Sequence, residues 1–302
     1  VSHKDKIQFF NRYTGRVETE EVYGAGWLKW IYGHPLGEVA LQTFVKRAFF
    51  SRWYGRRMSA PASREKIRPF IAEYGVDTRE FADEVDTFKS FNEFFFRRLK
   101  PDVRPIAAAN DLAVFPADGR HFGFADVSEI EGIFVKGEMF DLLNLTQNLE
   151  LFRQYRRGAL VISRLCPVDY HRFHFPVNGR PDNPALINGP LYSVSPVALR
   201  RNIDYLAENK RCLSQVESPE FGSVMMVEIG ATCVGSIQYT YTPDAPVKKG
   251  DEKGYFQFGG SCLLTFFQPG TIQLAADLLT STARGIELYA RMGDTMGRAQ
   301  NT

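Results

Sequence analysis

Three short blocks of this chain hold residue types that could do chemistry together. Asp118 lies in F-P-A-D-G-R (115–120), His171 and His174 in D-Y-H-R-F-H-F-P-V-N-G (169–179), and Ser261 in F-G-G-S-C (258–262). Gly259 and Gly260 stand directly before the serine, between two apolar stretches. Glycine leaves its carbonyl open to close approach, so the neighbouring hydroxyl can attack it. A serine is a weak nucleophile until a base takes its proton, and an acid can then hold the imidazole's tautomer and stabilise its charged form. Asp118, His174 and Ser261 supply those three roles. Each block also has an ordinary reading: G-G-S as a bulge, Asp-Gly as a common turn, and the histidines as structural, although two of the chain's five lie here.

Two other chemistries compete. H-x-x-H can chelate a metal from a helix, where positions three apart share a face. This segment is β-like with Pro176 close behind, and a strand would send the two rings to opposite faces. No third ligand is suggested, so no metal is expected. A hydrolase would use the same three residue types, but its elbow reads G-x-S-x-G, whereas residues 259–263 read G-G-S-C-L.

The stretch K-K-G-D-E-K-G-Y-F-Q-F-G-G-S (248–261) resembles the self-cleavage site of phosphatidylserine decarboxylases. The F-P-A-D-G, D-Y-H-R-F-H-F-P-V-N-G and V-E-I-G-A-T-C-V-G-S-I (227–237) blocks precede it in family order, so the resemblance covers most of the chain. S-F-N-E-F-F-F-R-R-L-K-P-D-V-R-P (90–105) is similar to a block upstream of the family's catalytic domain. The departures are Cys262, where the family more often has Thr or Ser, and Cys233, where it often has Asn.

The resemblance implies a proenzyme cut between Gly260 and Ser261 by autocatalytic serinolysis, with Asp118, His174 and Ser261 as the cleavage triad. Ser261 would become a pyruvoyl group, the only cofactor, capping a 42-residue downstream chain, 261–302, paired with an upstream chain, 1–260. That ketone would form a Schiff base with phosphatidylserine, lose CO2 and release phosphatidylethanolamine, with His171 as the acid of the decarboxylation step. Two alternatives stay open: a pyruvoyl-dependent decarboxylase of a soluble amino acid, and a non-catalytic lipid-binding homologue.

The elements that must position these residues fall into two parts. Residues 1–105 are expected to form a hairpin and a helical, membrane-associating region, and 106–302 a β-rich catalytic domain. The class is α+β, a barrel or sandwich behind an amphipathic helical front. Ile7 to Val22 reads as a hairpin around Tyr13-Thr14-Gly15. Residues 24–60 hold all three tryptophans, Trp27, Trp30 and Trp53, and six cations (Lys29, Lys46, Arg47, Arg52, Arg56, Arg57) against one acid, Glu38, a local charge of +5. Leu41, Phe44, Val45, Ala48 and Phe49 fall at helical spacing. That helix could pack on the protein's own core or lie in a membrane interface, where aromatic and basic residues around an apolar stripe are favoured; both could hold on different faces. Trp27, Trp30, Arg52, Trp53, Arg56 and Arg57 are the candidate membrane-binding residues.

Further helices are predicted over Ala62 to Tyr74 with Ser63 as cap, Phe91 to Leu99, Leu149 to Tyr155, Ala198 to Leu206, and from about Leu279 to Arg291. Strands are predicted at Leu112 to Phe115, Ala159 to Ser163, Ser223 to Ile229, Ser236 to Tyr241, and on both sides of Ser261.

The bulk composition is ordinary for a folded chain, with 44% apolar and 24% charged residues over 302. A net charge of +2 gives no reason to expect nucleic acid as a partner. Four cysteines without C-x-x-C spacing suggest free thiols in a reducing compartment. No apolar run reaches 18 residues, and the first residues read as neither a signal peptide nor an arginine-rich presequence. The expected location is peripheral, on the cytoplasmic face of a bacterial inner membrane.

Overall fold

A computed structural model describes residues 7–20, 26, 30–31, 34–41, 48–132, 140–231, 237–258 and 261–300. Its strands, in chain order, are β1 (Gln8–Asn11), β2 (Arg16–Thr19), β3 (Leu112–Val114), β4 (Gly119–Phe124), β5 (Ala159–Leu165), β6 (Arg172–His174), β7 (Arg180–Pro181), β8 (Ala185–Ile187), β9 (Arg211–Ser218), β10 (Gly222–Ile229), β11 (Ile237–Tyr239), β12 (Glu252–Phe256), β13 (Ser261–Phe267), β14 (Ile272–Leu274), β15 (Glu287–Ala290) and β16 (Thr295–Ala299).

The large sheet runs β2-β1-β15-β4-β5-β13-β10-β9, with β7 and β8 both pairing along β9. Two three-stranded sheets, β11-β12-β6 and β14-β16-β3, accompany it. The class is α+β and sandwich-like; among the described residues the large sheet does not close into a barrel. The expected hairpin is present as β1 and β2, joined through Gly15 at a left-handed φ of 66°. It is built into the large sheet, with β1 parallel to β15.

β13 lies between β5 and β10 and is buried along its whole length. A strand covered on both faces reads as a continuous apolar run, which is why Leu263 to Phe267 shows no alternation. Cys262, Leu264 and Phe266 point into a core shared with Ile162, Met225, Val227 and the helical residues Leu145, Tyr155 and Leu206. Leu263 points the other way, into a small cluster with Ala117, Leu165, Phe173 and Phe256. Since successive side chains alternate, Ser261 shares the face of Leu263. On the same side Lys253 and Glu228, both fully buried, meet at 2.5 Å; Lys253 also donates to Ser214 Oγ (2.6 Å), and Tyr239 to Glu228 (2.7 Å). This four-residue group joins β9 and β10 to β11 and β12.

A separate aromatic cluster gathers Phe70, Phe81, Phe88, Phe91, Phe94 and Phe95 with Phe258, just ahead of Ser261. Edge-to-face pairs such as Phe91–Phe258 (5.1 Å, 77°) each add about 0.5–1.5 kcal/mol beyond the area buried. The helix Ala48–Ser59 covers this cluster with Met58 and Tyr54 and turns Phe49, Arg52, Trp53, Arg56 and Arg57 outward.

Several elements differ from expectation. Ala62–Tyr74 divides into a 3-10 segment, Pro61–Lys66, and a helix, Ile67–Tyr74. Ser63 is no cap; its hydroxyl donates to the Met58 and Ala60 carbonyls and accepts from the Phe91 amide. The third helix stops early, at Phe91–Phe95, and the segment from Ala198 divides into Pro196–Leu199 and Tyr205–Glu208. The last helix is Ala276–Ala283. Gly285, at φ 69°, breaks it, and residues 287–290 become β15, paired with β1 and β4. Leu149–Tyr155 forms as predicted, with Asn148 accepting from the Glu150 and Leu151 amides.

Candidate active site

Ser261 is the first residue of β13, opposite Leu165 of β5, and is fully buried. β4 lies on the other side of β5, and Asp118 immediately precedes it. The Asp118-Gly119 turn closes on β5 because position 119 is glycine: a Cβ there would stand 2.6 Å from the Arg164 carbonyl oxygen. Asp118 and Ser261 thus flank the same end of β5.

The histidine block is tied to both neighbours. The His174 amide donates to the Pro116 carbonyl (2.8 Å), two residues before Asp118. His174 pairs with Glu252 of β12, and the Phe256 amide donates to the His171 carbonyl (3.0 Å). Backbone pairing therefore brings all three sequence blocks to one end of the sandwich.

Three buried polar atoms at this end have no partner among the described residues: Ser261 Oγ, His174 Nδ1 and His171 Nε2. His171 Nδ1 lies 3.0 Å from the Asp169 carbonyl. A carbonyl only accepts, so Nδ1 carries the proton and Nε2 keeps its lone pair. Burial holds the His171 imidazole down at about 3, with Arg97 adding to the depression. Burial likewise holds His174 at about 3, with Arg172 as the second cause. Both rings are neutral near pH 7. They have different neighbours: His171 packs on Phe95 at 3.8 Å, and His174 stacks on Tyr170 at 5.7 Å.

Asp118 is held by Arg104. The guanidinium donates through Nε to both carboxylate oxygens (3.0 Å each) and through Nη2 to Oδ2 (2.6 Å), and Nη2 also reaches Glu80 (2.8 Å). The Met292 amide adds a further hydrogen bond at 2.9 Å. Among the described residues no hydrogen bond joins Asp118 to His174, or His174 to Ser261.

Gly259, Gly260 and Cys233 lie outside the described residues, as does Trp27 of the candidate membrane-binding set. Trp30 is about two-fifths exposed and Trp53 about half. Arg52, Arg56 and Arg57 are exposed, and the Arg57 guanidinium lies 5.8 Å from the Trp53 ring.

Sequence reasoning passed over Arg104, Asp169 and Asn92. Asp169 accepts from Arg120 (2.5 Å) and the Cys166 amide (2.7 Å), which fixes the turn whose carbonyl orients His171. Asn92 and Arg104 both stand in the S-F-N-E-F-F-F-R-R-L-K-P-D-V-R-P block, which gave no chemistry by itself.

The family model for phosphatidylserine decarboxylase matches residues 91–298. The chain belongs to the phosphatidylserine decarboxylase family. A phosphatidylserine decarboxylase proenzyme from Fusobacterium nucleatum subsp. nucleatum is 42% identical over 98% of this chain and 99% of its own. Proenzymes of the same name from Clostridium novyi and Chlamydia muridarum are each 42% identical over 96% of this chain, covering 99% and 96% of theirs. Among solved structures, glucose permease IIA from Mycoplasma capricolum overlaps 62% of this chain and 93% of its own at 13% identity, with a TM-score of 0.30, too remote to bear on the fold. Membership of this family makes the chain a decarboxylase, with a proenzyme form among its relatives.

Proposed function

We propose that this chain cuts itself between Gly260 and Ser261 and then converts phosphatidylserine to phosphatidylethanolamine and CO2 through a pyruvoyl group made from Ser261. The observation that carries this reading is a buried, unpartnered serine hydroxyl at the same end of the sandwich as two buried neutral histidines, each with an open ring nitrogen. A buried hydroxyl without a hydrogen bond costs on the order of 1–3 kcal/mol, so its place calls for a reason.

In maturation His174 takes the hydroxyl proton and Ser261 Oγ attacks the Gly260 carbonyl carbon. The C–N bond breaks, leaving an ester and a free amine on Ser261. Loss of the Ser261 α-proton expels the Gly260 carboxylate and leaves a carbon–carbon double bond. Tautomerisation and addition of one water release ammonia and leave the ketone. Asp118, fixed by Arg104, supplies the negative charge that favours a protonated His174 during the transfer.

The donor set fits a pyruvoyl group: Ser261 is its precursor, and His171 Nε2 and His174 Nδ1 are open to it. The group supplies an electron sink for the charge that develops as CO2 leaves. His171, with its lone pair on Nε2, accepts a proton from the substrate's ammonium and returns it to the α-carbon after CO2 departs. No metal enters the scheme.

The same reading assigns residues 1–105 to membrane association and 106–302 to catalysis, although β1 and β2 belong to the large sheet. No helix among the described residues is long and apolar enough to cross a membrane. The outward face of Ala48–Ser59, with Phe49, Trp53, Arg52, Arg56 and Arg57, suits peripheral contact with a phospholipid surface and its anionic headgroups. We place the protein on the cytoplasmic side of a bacterial inner membrane.

Intact-mass spectrometry tests the chemistry. The parent should separate into chains 1–260 and 261–302, the smaller carrying the ketone. Ser261→Ala and His174→Ala should remain single chains. His171→Ala should mature and lose roughly 10²–10⁴-fold in turnover. Cys262→Ser should mature like the parent. A Ser261→Ala chain that still splits at this bond would remove Ser261 as the nucleophile, and a Cys262→Ser chain that folds but does not split would favour Cys262 in its place.

A further inference from the structure

Asn92 is buried, with 3% of its surface exposed, in the helix Phe91–Phe95. Its Oδ1 accepts from the Phe258 amide at 2.8 Å, and its Nδ2 donates to Ser59 Oγ at 2.9 Å. The orientation of the side-chain amide is forced, because a backbone N–H can only donate. Its helix is itself fixed at the start: Ser90 accepts from the Glu93 amide, Glu93 accepts from the Lys89 amide, and Ser63 holds the Phe91 amide.

Phe258 stands two residues before Gly260. The last β12 residue, Phe256, is paired with Ile237 and bonded to the His171 carbonyl. Phe258 is the last described residue before Ser261, and the two residues between them are glycines, which lose the most conformational freedom on being ordered. The Phe258 ring is gripped by Phe95 (4.8 Å), Phe91 (5.1 Å) and Tyr54 (5.8 Å). Ring packing fixes where this residue sits; the hydrogen bond to Asn92 fixes the plane of its peptide group.

We propose that Asn92 is a positioning residue for self-cleavage: by holding the Phe258 amide it fixes a peptide plane two residues before Gly260 and so favours the approach of the Gly260 carbonyl to Ser261 Oγ. It touches neither reacting atom and acts through the chain. A misplacement of about 1 Å from the attack geometry can cost 10²-fold in rate. The inference rests on the self-cleavage reading above.

The test follows the rate of chain splitting by intact mass, beside thermal melting, in full-length protein. Asn92→Leu, similar in size without an acceptor, should split roughly tenfold or more slowly while melting within a few degrees of the parent. Its matured fraction should turn over phosphatidylserine at the parent's rate per ketone, since the contact serves only the uncut chain. Asn92→Asp, which keeps the acceptor, should split at close to the parent's rate. Ser59→Ala should split normally, because the Phe258 bond remains. Splitting of Asn92→Leu at the parent's rate, or a deficit that tracks loss of folded protein, overturns the inference. Should Asn92→Leu fail to fold, Asn92→Asp decides: folded but slow, it overturns the proposal; folded and fast, it supports it. A parent that never splits overturns the self-cleavage reading and this inference together, whereas a parent that splits beside an equally fast Asn92→Leu overturns the inference alone.

Discussion

Burial keeps His171 and His174 in the unprotonated form, the form able to accept a proton. An exposed histidine titrates near 6.5 and would be partly protonated across the physiological range. Burial moves both rings down to about 3, with Arg97 and Arg172 contributing in turn. The rate of self-cleavage should therefore change by no more than about twofold between pH 8 and pH 5.5, where an unshifted imidazole of pKa about 6.5 would become mostly protonated. A tenfold fall over that range, followed by intact mass, would show that His174 is not held neutral. Stability carries the opposite signature. The unfolded imidazoles bind protons near 6.5 and the folded ones only near 3, so unfolding takes up protons between those values, and stability falls as pH is lowered through that window. His121, also held at about 3 by burial, adds to the slope. Cys262 shows burial acting on a thiol. It is fully buried, its pKa is raised by desolvation, and it faces the core opposite to Ser261. The intrinsically stronger nucleophile of the pair is thereby kept protonated and turned away.

At the scale of elements, the chemistry depends on how the small sheet sits on the large one. β6 and β12 carry His174 and lead to Ser261, and their seat is the Lys253–Glu228 pair with Ser214 and Tyr239. A buried pair is costly to break on one side only, because the remaining charge loses its partner. Lys253→Met should cost on the order of 3–5 kcal/mol in stability and slow self-cleavage. Adding Glu228→Leu should recover much of that loss, since two apolar side chains leave no stranded charge. Urea denaturation of the single and double variants measures both; additive losses would show that the pair does not hold the sheets. The Arg104–Asp118–Glu80 contacts play a similar part outside the sheets, joining the 78–104 segment to the turn before β4.

For the molecule as a whole, the helix Ala48–Ser59 has two uses. One face, with Tyr54 and Met58, closes the aromatic cluster around Phe258; the other presents Phe49, Trp53 and the three arginines. The outward side chains are exposed, whereas the aromatic cluster is packed by the opposite face. Arg52, Arg56 and Arg57 replaced together by Glu should mature normally yet bind and decarboxylate anionic vesicles poorly. In the parent, raising salt should weaken vesicle binding without abolishing it, because the Debye length falls from roughly 10 Å at 0.1 M to about 3 Å at 1 M while apolar contacts persist. Vesicle flotation and turnover read this out. A triple variant equal to the parent on anionic vesicles would exclude the cluster as a docking element, and one that fails to mature would assign these residues to the fold.

The amino-acid sequence by itself determined what depends on neighbours in the chain. The Tyr13-Thr14-Gly15 hairpin, the helix at Leu149–Tyr155, the buried strand after Ser261 and the chemistry-bearing residue types were all legible, because local backbone preference and apolar runs act over a few residues. Tertiary structure decided the rest. The run after Leu279 carried a helical pattern, yet residues 287–290 became a strand, since pairing with β1 and β4 outweighs weak local propensity once Gly285 has ended the helix. Which way Cys262 faces, and the depressed titration of the histidines, follow from burial that no spacing reveals. The partners of Asp118 and Phe258 are Arg104, fourteen residues away, and Asn92, more than a hundred and sixty residues away. Hydrogen bonds over such separations exist only after the chain has closed, so the sequence could offer candidate reacting groups but not the groups that hold them.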